Sequence, residues 1–540
     1  MSAQAKTPMN PGPNTPARVE IFDTTLRDGS QLEGITLTVD DKLRIARHLD
    51  NLGIAYIEGG WPGANPKDDE FFERAPFELD LQSARLVTFG ATRRAGGSAD
   101  GDPVLANVIK GGTDAVCIVG KTWDYHVTEA LRTTLDEAAA MVGDSVKFLK
   151  DHNKEVLFDA EHFFDGYKAN PEFALQVLHA AEEAGVDCLV LCDTNGGTMP
   201  FEVEQIVAEV RAATGTKLGA HFHNDSECAV ANSLVAVRQG AEQVQGCVNG
   251  LGERTGNTNL TSLIANLELK LGVHAVGPEH LQRLSEVSHA VAEIANVTLS
   301  QQAPYVGQSA FAHKAGLHVS ALARRPDAYE HIDPMAVGND SHLVVSELAG
   351  RATVVMKAAE AGIDVEDNPE TVGEILEKVK SLEHVGYHFE AADGSFELLV
   401  RSATGWEQHY FELESFRVIM EKLADGETAT EATIKLSVDG ERHIATAEGN
   451  GPVNALDKAL RSCIGQRYPE LESIHLDDYK VRVLDTNKGT GAVTRVLIDT
   501  TDGRQSWGTI GVSDNIIEAS WQALSDSIVV GLLHARDESG

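Results

Sequence analysis

The feature that most constrains the fold is a regular alternation of short β-type runs with helical patterns, beginning at residue 19. Eight such runs occur at intervals of roughly 25 to 40 residues, and a helical pattern follows each one. They are VEIF, AYIEGG, RLVTFG, AVCIVG, EVLFDA, CLVLCD, LGAHFH and QVQGCV. This alternation is typical of parallel βα units, and eight such units predict a closed (β/α)8 TIM barrel. The first run is not followed by a Gly-rich phosphate-binding turn, which argues against an open, doubly wound sheet.

Polar residues cluster at the ends of these predicted strands, where TIM barrels carry their chemistry. The strand ends carry Arg27, Asp28, Glu58, Lys121, Asp159, Glu161, Asp193, Thr194, Asn195, His221, His223 and the segment from Asn249 to Asn257. Any one of them alone is more often a strand-end cap or a turn residue. Their convergence on one rim predicts an active site there.

A metal site is predicted from two separate segments of this rim. In the segment LGAHFHND, His221 and His223 lie two residues apart, so a β-strand projects both imidazoles to the same face. The pair alone also fits an ordinary core or surface feature. Asp28, from the turn in VEIFDTTLRDGSQ, completes a set of one carboxylate and two imidazoles that leaves coordination positions open for substrate and water. We expect a divalent ion there, with zinc, manganese and magnesium all open.

Composition limits the partners. The chain has 82 Asp and Glu against 45 Lys and Arg, a net charge of −37, which repels nucleic acid and anionic membranes. An anionic cofactor therefore needs a local basic patch. The six cysteines lack paired CxxC spacing, so neither a disulfide framework nor a zinc ribbon is expected, and a reducing cytoplasm fits best. No stretch suggests a signal peptide or a membrane span.

The 540 residues are too many for one ordinary domain. We expect a disordered tail at 1–17, the barrel at 18–290, helical linker subdomains at 291–405 and a C-terminal α+β domain at 406–540. In that last domain, GPVNALDKAL and DNIIEASWQAL carry Ala at matching positions and start roughly 64 residues apart. This repetition predicts a duplicated ββα-type unit.

Three segments carry a family resemblance. LRDGSQ, HFHND and GLGERTGN are similar to the signatures of the isopropylmalate, homocitrate and citramalate synthases, which are HMG-CoA lyase-like TIM barrels, and the similarity extends to the C-terminus. YIEGGWPGANPKD and FDAEHFFDG most resemble the citramalate branch. The chain departs from the family at Ser226, Glu227 and Cys228, where Gly and an aliphatic residue are usual. We interpret Glu227 as an outer partner that orients one of the two histidines.

The resemblance implies a function. It implies an acyltransferase that condenses acetyl-CoA with pyruvate in isoleucine biosynthesis. The alternatives are condensation with 2-oxoisovalerate for leucine biosynthesis, a carbon-carbon lyase of the same barrel family, or a non-catalytic amino-acid sensor. The region 406–540 resembles the allosteric and dimerisation domain of related synthases, which implies isoleucine or leucine as feedback effector.

The resemblance also implies roles for particular residues. It implies Arg27 as the clamp for the substrate carboxylate, with substrate contacts from Thr194, Asp159 and Lys121, and it adds Asn257 to the three metal ligands. Either Glu161 or His318 is expected to act as the base, with Tyr329 assisting. His318 and Tyr329 match residues that reach the active site of a partner subunit, which implies a homodimer. Gly250, Gly252 and Arg254 are expected to contact acetyl-CoA, although their segment equally fits a tight structural turn.

Overall fold

The computed structural model describes residues 12–313, 325, 329–340, 342–343, 351–365, 368–389, 392–406, 410–422, 424, 426–484, 489 and 491–537. The chain forms two compact units. The first runs to Phe311 and includes Glu330–Ser341; the second comprises Ala312–Tyr329 and His342–Gly540. His318 and most of the predicted tail at 1–17 lie outside the described residues. The domain boundaries at 290 and 405 stay a prediction.

The first unit is a closed barrel of eight parallel strands, as the alternation of the sequence predicts. Each strand pairs with the next, and β1 closes the barrel against β8. The strands are β1 Glu20–Asp23, β2 Tyr56–Gly60, β3 Arg85–Ala91, β4 Ala115–Lys121, β5 Glu155–Glu161, β6 Cys188–Asp193, β7 Lys217–Phe222 and β8 Ala241–Gly246.

Helices cover the outside of the barrel, and their sequences carry local start signals. Thr38 accepts a hydrogen bond from Asp41 N in a capping box, and a proline at the first turn follows a capping residue in α2, α3 and α6. The helices are α1 Val39–Asn51, α2 Pro66–Glu78, α3 Pro103–Lys110, α4 Leu135–Asp151, α5 Phe163–Ala169, α6 Pro171–Glu183, α7 Pro200–Ala213, α8 Ala229–Arg238, α9 Leu260–Asn266, α10 Pro278–Leu281 and α11 Leu284–Ile294.

The barrel interior is filled by side chains from alternate strand positions. The side chains in its middle are mainly apolar and comprise aliphatic groups, thiols and three aromatic rings. They are Phe22, Tyr56, Val87, Phe89, Ala115, Cys117, Leu157, Cys188, Val190 and Cys192. Toward the C-terminal ends of the strands, the inward positions become polar and buried: Glu58, Asp159, His221 and Gln245. The apolar middle therefore supports a polar layer at the rim where the chemistry is expected.

The second unit contains helices and two three-stranded antiparallel sheets. The described helices before the sheets are α12 Arg351–Glu360, α13 Pro369–His384 and α14 Asp393–Ala403, and a short parallel pair joins β9 Ala312–His313 to β10 His342–Leu343. The first sheet has β11 Glu412–Lys422, β12 Thr428–Val438 and β13 Glu441–Gly449, followed by α15 Pro452–Ile464. The second has β14 His475–Val483, β15 Thr494–Thr501 and β16 Ser506–Ser513, followed by α16 Ile516–Asp537.

The predicted duplication is therefore present, with three strands before each helix where the sequence pattern predicts two. Both helices pack on a shared apolar core that includes Ile434, Leu456, Val496 and Leu524. Helix α16 is long and apolar enough to cross a membrane by length and composition, but 61% of its most apolar window is buried. This burial is what a core helix of a folded domain shows.

Candidate functional site

The turn after β1 presents Arg27 and Asp28 to the barrel opening. Asp23, at the end of the strand, accepts hydrogen bonds from the backbone N–H and the hydroxyl of Thr25 at 2.9 and 2.8 Å. The backbone N–H of Gly29 donates to Thr24 O at 3.0 Å and closes the turn. These contacts fix the direction of the two residues between them.

Arg27 is held on three sides. Its Nε donates to Glu58 Oε2 at 2.6 Å, its Nη1 lies 3.5 Å from Asp28 Oδ2, and its guanidinium carbon lies 4.0 Å from the centre of the Phe89 ring. Glu58 is fully buried, so this pair is shielded from solvent. The guanidinium is thereby fixed at the rim with its outer edge available to a carboxylate.

Asp28, His221 and His223 come together at the rim, where the strand periodicity places the two histidines on one face. The two imidazole rings lie 5.1 Å apart, and His221 Nε2 lies 3.9 Å from Asp28 Oδ2. One possible ligand atom from each residue lies within 4.8 Å of the other two. His223 follows the last residue of β7, and a backbone bridge to Asn257 keeps it extended for one more position. The alternation of side chains therefore continues past the strand end.

Several buried polar atoms at this place lack a hydrogen-bond partner. Asp28 Oδ1, His223 Nδ1 and Asn257 Oδ1 are all buried and unpaired. An unsatisfied buried polar atom costs about 1–3 kcal/mol, so three of them in one spot favour the binding of a group that compensates them. One carboxylate, two imidazoles and an amide oxygen are donors suited to a first-row divalent ion. The residues therefore fit the predicted metal.

The protonation states of these groups also suit metal binding. Burial opposes ionisation of Asp28, but the charge of Arg27, the neighbouring imidazoles and the Asn257 side chain outweigh it and lower the pKa of this carboxyl below its ordinary value. Burial and the neighbouring His221 lower the pKa of His223 to about 3. At neutral pH, Asp28 is thus a carboxylate and His223 a neutral imidazole, the forms in which they coordinate metals.

A second group of possible ligands lies deeper in the barrel, formed by Glu58, Cys117 and Asp159. Glu58 Oε2 accepts from Arg27 and Asp159 Oδ1 accepts from Gln245, whereas Glu58 Oε1 is buried without a partner. Glu58 is bonded to Arg27, and burial raises its pKa to about 7; burial also raises the pKa of the Cys117 thiol well above its ordinary value. A protonated thiol and a paired carboxylate are poor ligands. We therefore interpret this group as a lining of the pocket beneath the rim.

The ends of β4, β5 and β6 add further polar groups. Lys121 forms an ion pair with Glu161, and both side chains are partly exposed. The backbone N–H of His162 donates to Thr194 Oγ1 at 3.0 Å. Because this contact uses the hydroxyl oxygen as an acceptor, the hydroxyl hydrogen of Thr194 remains available to a ligand.

The Gly-rich segment after β8 is a tight turn built around Asn257. Gly252 has φ +140°, and a Cβ there would lie 3.0 to 3.1 Å from the Asn257 carboxamide; a Cβ on Gly256 would lie 1.9 Å from Gly250 O. Arg254 donates to both carboxylate oxygens of Asp225 and to Thr194 O at 2.7 to 2.9 Å. These contacts support the structural interpretation of the segment, and the contact of Gly250, Gly252 and Arg254 with acetyl-CoA stays a prediction.

Two other predicted residues, Tyr329 and Glu227, lie outside the barrel strands. Tyr329 belongs to the second unit, where it is 47% exposed, and its role at the site stays a prediction. Glu227 is exposed, in the left-handed conformation with φ +59°, and the described contacts show no hydrogen bond from its side chain to His221 or His223. The interpretation of Glu227 as the partner of a histidine is therefore wrong for His221, whose Nδ1 contacts Gln245 instead.

The sequence reasoning missed Gln245, Phe89 and Cys117. Gln245 had a detectable signal, because Gln243 and Gln245 lie on either side of Val244 in β8 and so point to the same face of the strand. A polar residue at an inward strand position must find a hydrogen-bond partner. Phe89 and Cys117 carry no such signal, since an aromatic ring or a thiol in a buried strand is ordinary core.

The fold and the rim together define a TIM-barrel protein with a candidate metal site at the C-terminal ends of its strands. Residues 18–291 match the family described as HMGL-like. Residues 305–386 match the homocitrate synthase post-HMGL domain-like family, and residues 390–531 match the LeuA allosteric (dimerisation) domain.

Full-length relatives narrow the assignment. The (R)-citramalate synthase of Streptomyces coelicolor is 54% identical over 516 residues, which cover 95% of this chain and 97% of that protein. That of Aquifex aeolicus is 51% identical, with 96% and 99% covered. The probable 2-isopropylmalate synthase of Methanopyrus kandleri is only 33% identical, with 94% and 97% covered. The chain therefore belongs to the HMGL-like family and, within it, to the (R)-citramalate synthases.

Proposed function

We propose that the chain is an acyltransferase that condenses acetyl-CoA with pyruvate, hydrolyses the thioester and releases citramalate and CoA. The observation that carries the chemistry is the juxtaposition of Arg27 with the cluster of Asp28, His221 and His223. The choice of pyruvate rests on the (R)-citramalate synthases, which are the more similar relatives. We place the reaction in isoleucine biosynthesis and in the cytoplasm.

Asp28, His221 and His223 are proposed as ligands of one divalent ion, with Asn257 as a fourth, weaker ligand. The three unpaired buried atoms at this place support the proposal. When bound, such an ion supplies Lewis-acid polarisation of the ketone oxygen of the 2-oxo acid. Zinc, manganese and magnesium remain candidates, because a mixed oxygen and nitrogen site does not select among them by ligand type alone.

Arg27 is proposed to bind the carboxylate of the 2-oxo acid. Glu58 occupies its Nε, and the described contacts show no hydrogen bond from the two terminal nitrogens, which are the donors proposed to hold the carboxylate. Phe89 stacks on the guanidinium, and Trp61 packs edge-on against Phe89 with ring centres 5.3 Å apart. An aromatic wall next to the clamp leaves less room for a branched side chain and favours pyruvate over 2-oxoisovalerate.

The remaining roles are proposed from the rim positions and the family resemblance. Thr194 adds a hydroxyl donor to the substrate, and Asp159 and Lys121 line its pocket. Glu161 is our first choice for the base that removes a proton from the acetyl methyl group, with His318 and Tyr329 of a partner subunit assisting. Gly250, Gly252 and Arg254 are proposed to border acetyl-CoA. The region that matches the LeuA domain is proposed to form the dimer and to bind isoleucine or leucine as feedback effector.

The direct test of the reaction measures release of the CoA thiol from acetyl-CoA with pyruvate, 2-oxobutyrate and 2-oxoisovalerate side by side. Each additional methyl group is worth about 1–3 kcal/mol in a small pocket, so we expect kcat/KM to fall in that order. His221→Ala is the inactive control, and it separates enzymatic turnover from spontaneous thioester hydrolysis. Equal or higher kcat/KM with 2-oxoisovalerate would assign the chain to isopropylmalate synthesis instead.

The role of Arg27 has its own test. Arg27→Lys keeps the charge but loses the planar fork, so we expect kcat/KM for pyruvate to fall about 10- to 100-fold, the value of one or two charge-assisted hydrogen bonds. Metal affinity should be unchanged, because Arg27 is not a ligand. An equal loss of metal affinity would show that Arg27 acts by holding Asp28 rather than by binding substrate.

Sharing of the site between subunits is tested by complementation. Asp28→Ala and His318→Ala chains are each expected to be inactive. After subunit exchange, mixed dimers would contain one intact site if His318 acts in the partner's barrel. Recovery of a measurable fraction of activity supports the shared site, and verified mixed dimers that remain inactive contradict it.

A further inference from the structure

Gln245 lies at the end of β8 with both ends of its carboxamide engaged inside the barrel. It is completely buried. His221 Nδ1 lies 2.9 Å from Gln245 Oε1, and Gln245 Nε2 donates to Asp159 Oδ1 at 2.8 Å. One side chain therefore connects a proposed metal ligand to a residue of the proposed substrate pocket.

The connection spans the barrel. His221 and Gln245 are register partners on the neighbouring strands β7 and β8, whereas Asp159 is on β5, separated from β8 by β6 and β7 around the wall. The hydrogen bond from Gln245 to Asp159 therefore crosses the interior. A fully satisfied buried network of this kind restricts the rotation of its side chains.

The acceptor at Gln245 selects the tautomer of His221. An amide oxygen only accepts, so the hydrogen of a neutral His221 must lie on Nδ1. Nε2 then carries the lone pair, and it is the nitrogen that lies 3.9 Å from Asp28 Oδ2. The reverse orientation of the amide would face Gln245 Oε1 toward Asp159 Oδ1, which places two acceptors together. The orientation that satisfies Asp159 is therefore the one that prepares His221 to bind a metal.

We propose that Gln245 is a positioning residue that holds His221 in its metal-binding tautomer and couples the metal site to the substrate pocket through Asp159. The proposal rests on the proposed metal site at Asp28, His221 and His223. It also explains why an amide stands at this position: it accepts from His221 and donates to Asp159 at once. A carboxylate accepts at both ends, and an aliphatic side chain does neither.

The test measures Mn²⁺ affinity of the metal-free chain by titration calorimetry, which needs no turnover. Gln245→Leu removes the acceptor, and we expect Mn²⁺ to bind about 10- to 100-fold more weakly, the usual cost of losing an outer partner of a metal-binding histidine. Gln245→Glu keeps the acceptor but sets a carboxylate against Asp159, so its affinity should also fall. Asp159→Asn is the matched control: its amide can rotate to accept from Gln245, so Mn²⁺ affinity should stay at the wild-type value.

The double variant Gln245→Glu with Asp159→Asn provides the decisive comparison. In this variant the carboxylate at position 245 accepts from His221 and from the amide at position 159. The hydrogen bond between positions 245 and 159 is therefore formed again, with donor and acceptor exchanged. We expect Mn²⁺ affinity to recover relative to Gln245→Glu alone. A general loss of folding cannot produce this recovery, and the thermal unfolding midpoint of each metal-free variant verifies that the chains are folded.

The outcomes separate this proposal from the proposed function. If His221→Ala abolishes Mn²⁺ binding while Gln245→Leu leaves it unchanged, the role of Gln245 is refuted and the metal site stands. Failure of the double variant to recover affinity also refutes the coupling. If the wild-type chain does not bind Mn²⁺, both the proposed metal site and the proposed role of Gln245 are refuted.

Discussion

Both ends of the barrel interior carry charged side chains, but the two ends differ in whether these groups are paired. At the N-terminal end, strands begin with Tyr56, Arg85 and Glu155, and the Tyr56 hydroxyl donates to Glu155 Oε1 at 2.7 Å while Arg85 pairs with the same carboxylate. Lys217 pairs with Glu20 beside them. At the C-terminal end, Asp28 Oδ1, His223 Nδ1 and Asn257 Oδ1 are buried and unpaired.

The difference distinguishes charged groups that stabilise the fold from polar groups that can bind a ligand. The ion pairs at the N-terminal end engage the carboxylates of Glu20 and Glu155 and contribute to the fold. A buried polar atom that lacks a partner weakens the fold by about 1–3 kcal/mol and persists where a ligand compensates it. Glu58 Oε1 and Gln243 Nε2 are also buried without a partner, so it is the convergence of three such atoms beside two imidazoles at the rim that identifies the site.

The largest effect that follows from this comparison is the loss of metal at the C-terminal end. In His221→Ala we expect Mn²⁺ affinity to fall by more than about 100-fold, beyond the cost of losing an outer partner, because a direct ligand is removed. Titration of the metal-free chain measures the change, and it should be accompanied by loss of activity. His179→Ala is the control, since His179 lies on the outer helix α6 with 43% of its side chain exposed. Equal Mn²⁺ affinity in both variants would contradict the assignment.

A second prediction concerns Asp23, a carboxylate at the rim whose hydrogen bonds are satisfied by Thr25. Burial raises its pKa to about 7, against an ordinary value of 3.8. A carboxyl with a raised pKa in the folded state binds protons more tightly there than in the unfolded chain. Its contribution to stability is therefore complete below about pH 4 and is lost as the pH rises through about 7.

Asp23→Asn removes this titration. Relative to the wild type, we expect the free energy of unfolding of the variant to increase by about 2 kcal/mol between pH 5.5 and pH 8. Chemical denaturation at the two pH values measures the difference. Mn²⁺ affinity should be unchanged, because Asp23 already has its partners. A difference in stability that does not depend on pH would show that Asp23 has an ordinary pKa.

The smallest effect is expected at the N-terminal end. Glu155→Gln breaks a partly exposed ion pair with Arg85, whose side chain is 52% exposed, and retains an acceptor for the Tyr56 hydroxyl. We expect the free energy of unfolding to fall by about 1 kcal/mol or less, with Mn²⁺ affinity and kcat/KM unchanged. A loss of metal binding in this variant would contradict the prediction that only the C-terminal end of the barrel binds the metal.

Much of this arrangement is predictable from the sequence, and the limits have physical causes. All eight barrel strands are predicted, because each is a short apolar run bounded by polar turns. The grouping of Asp28, His221 and His223 is predictable for two reasons. Parallel strands place their C-terminal ends on one rim, and strand periodicity points the side chains of the two histidines to the same face.

The outer partners of the site are less predictable. Glu227 is close to His223 in sequence, but its backbone is left-handed and its side chain is exposed. Gln245 contacts His221 and Asp159 from a third strand, and strand periodicity shows only that it faces inward. Which inward residues meet depends on the register of β5, β7 and β8 around the closed barrel, and local patterns do not specify that register.

The position of a bound metal ion tests directly whether the rim residues form the metal site. Crystals of the chain grown with Mn²⁺ should show an anomalous difference peak at the rim, about 2.0–2.3 Å from ligand atoms of Asp28, His221 and His223. Glu58 and Asp159 beneath it, which accept hydrogen bonds from Arg27 and Gln245, should show no peak. A peak at Glu58, Cys117 and Asp159, or at the N-terminal end of the barrel, would contradict the conclusion that the unpaired rim atoms form the metal site.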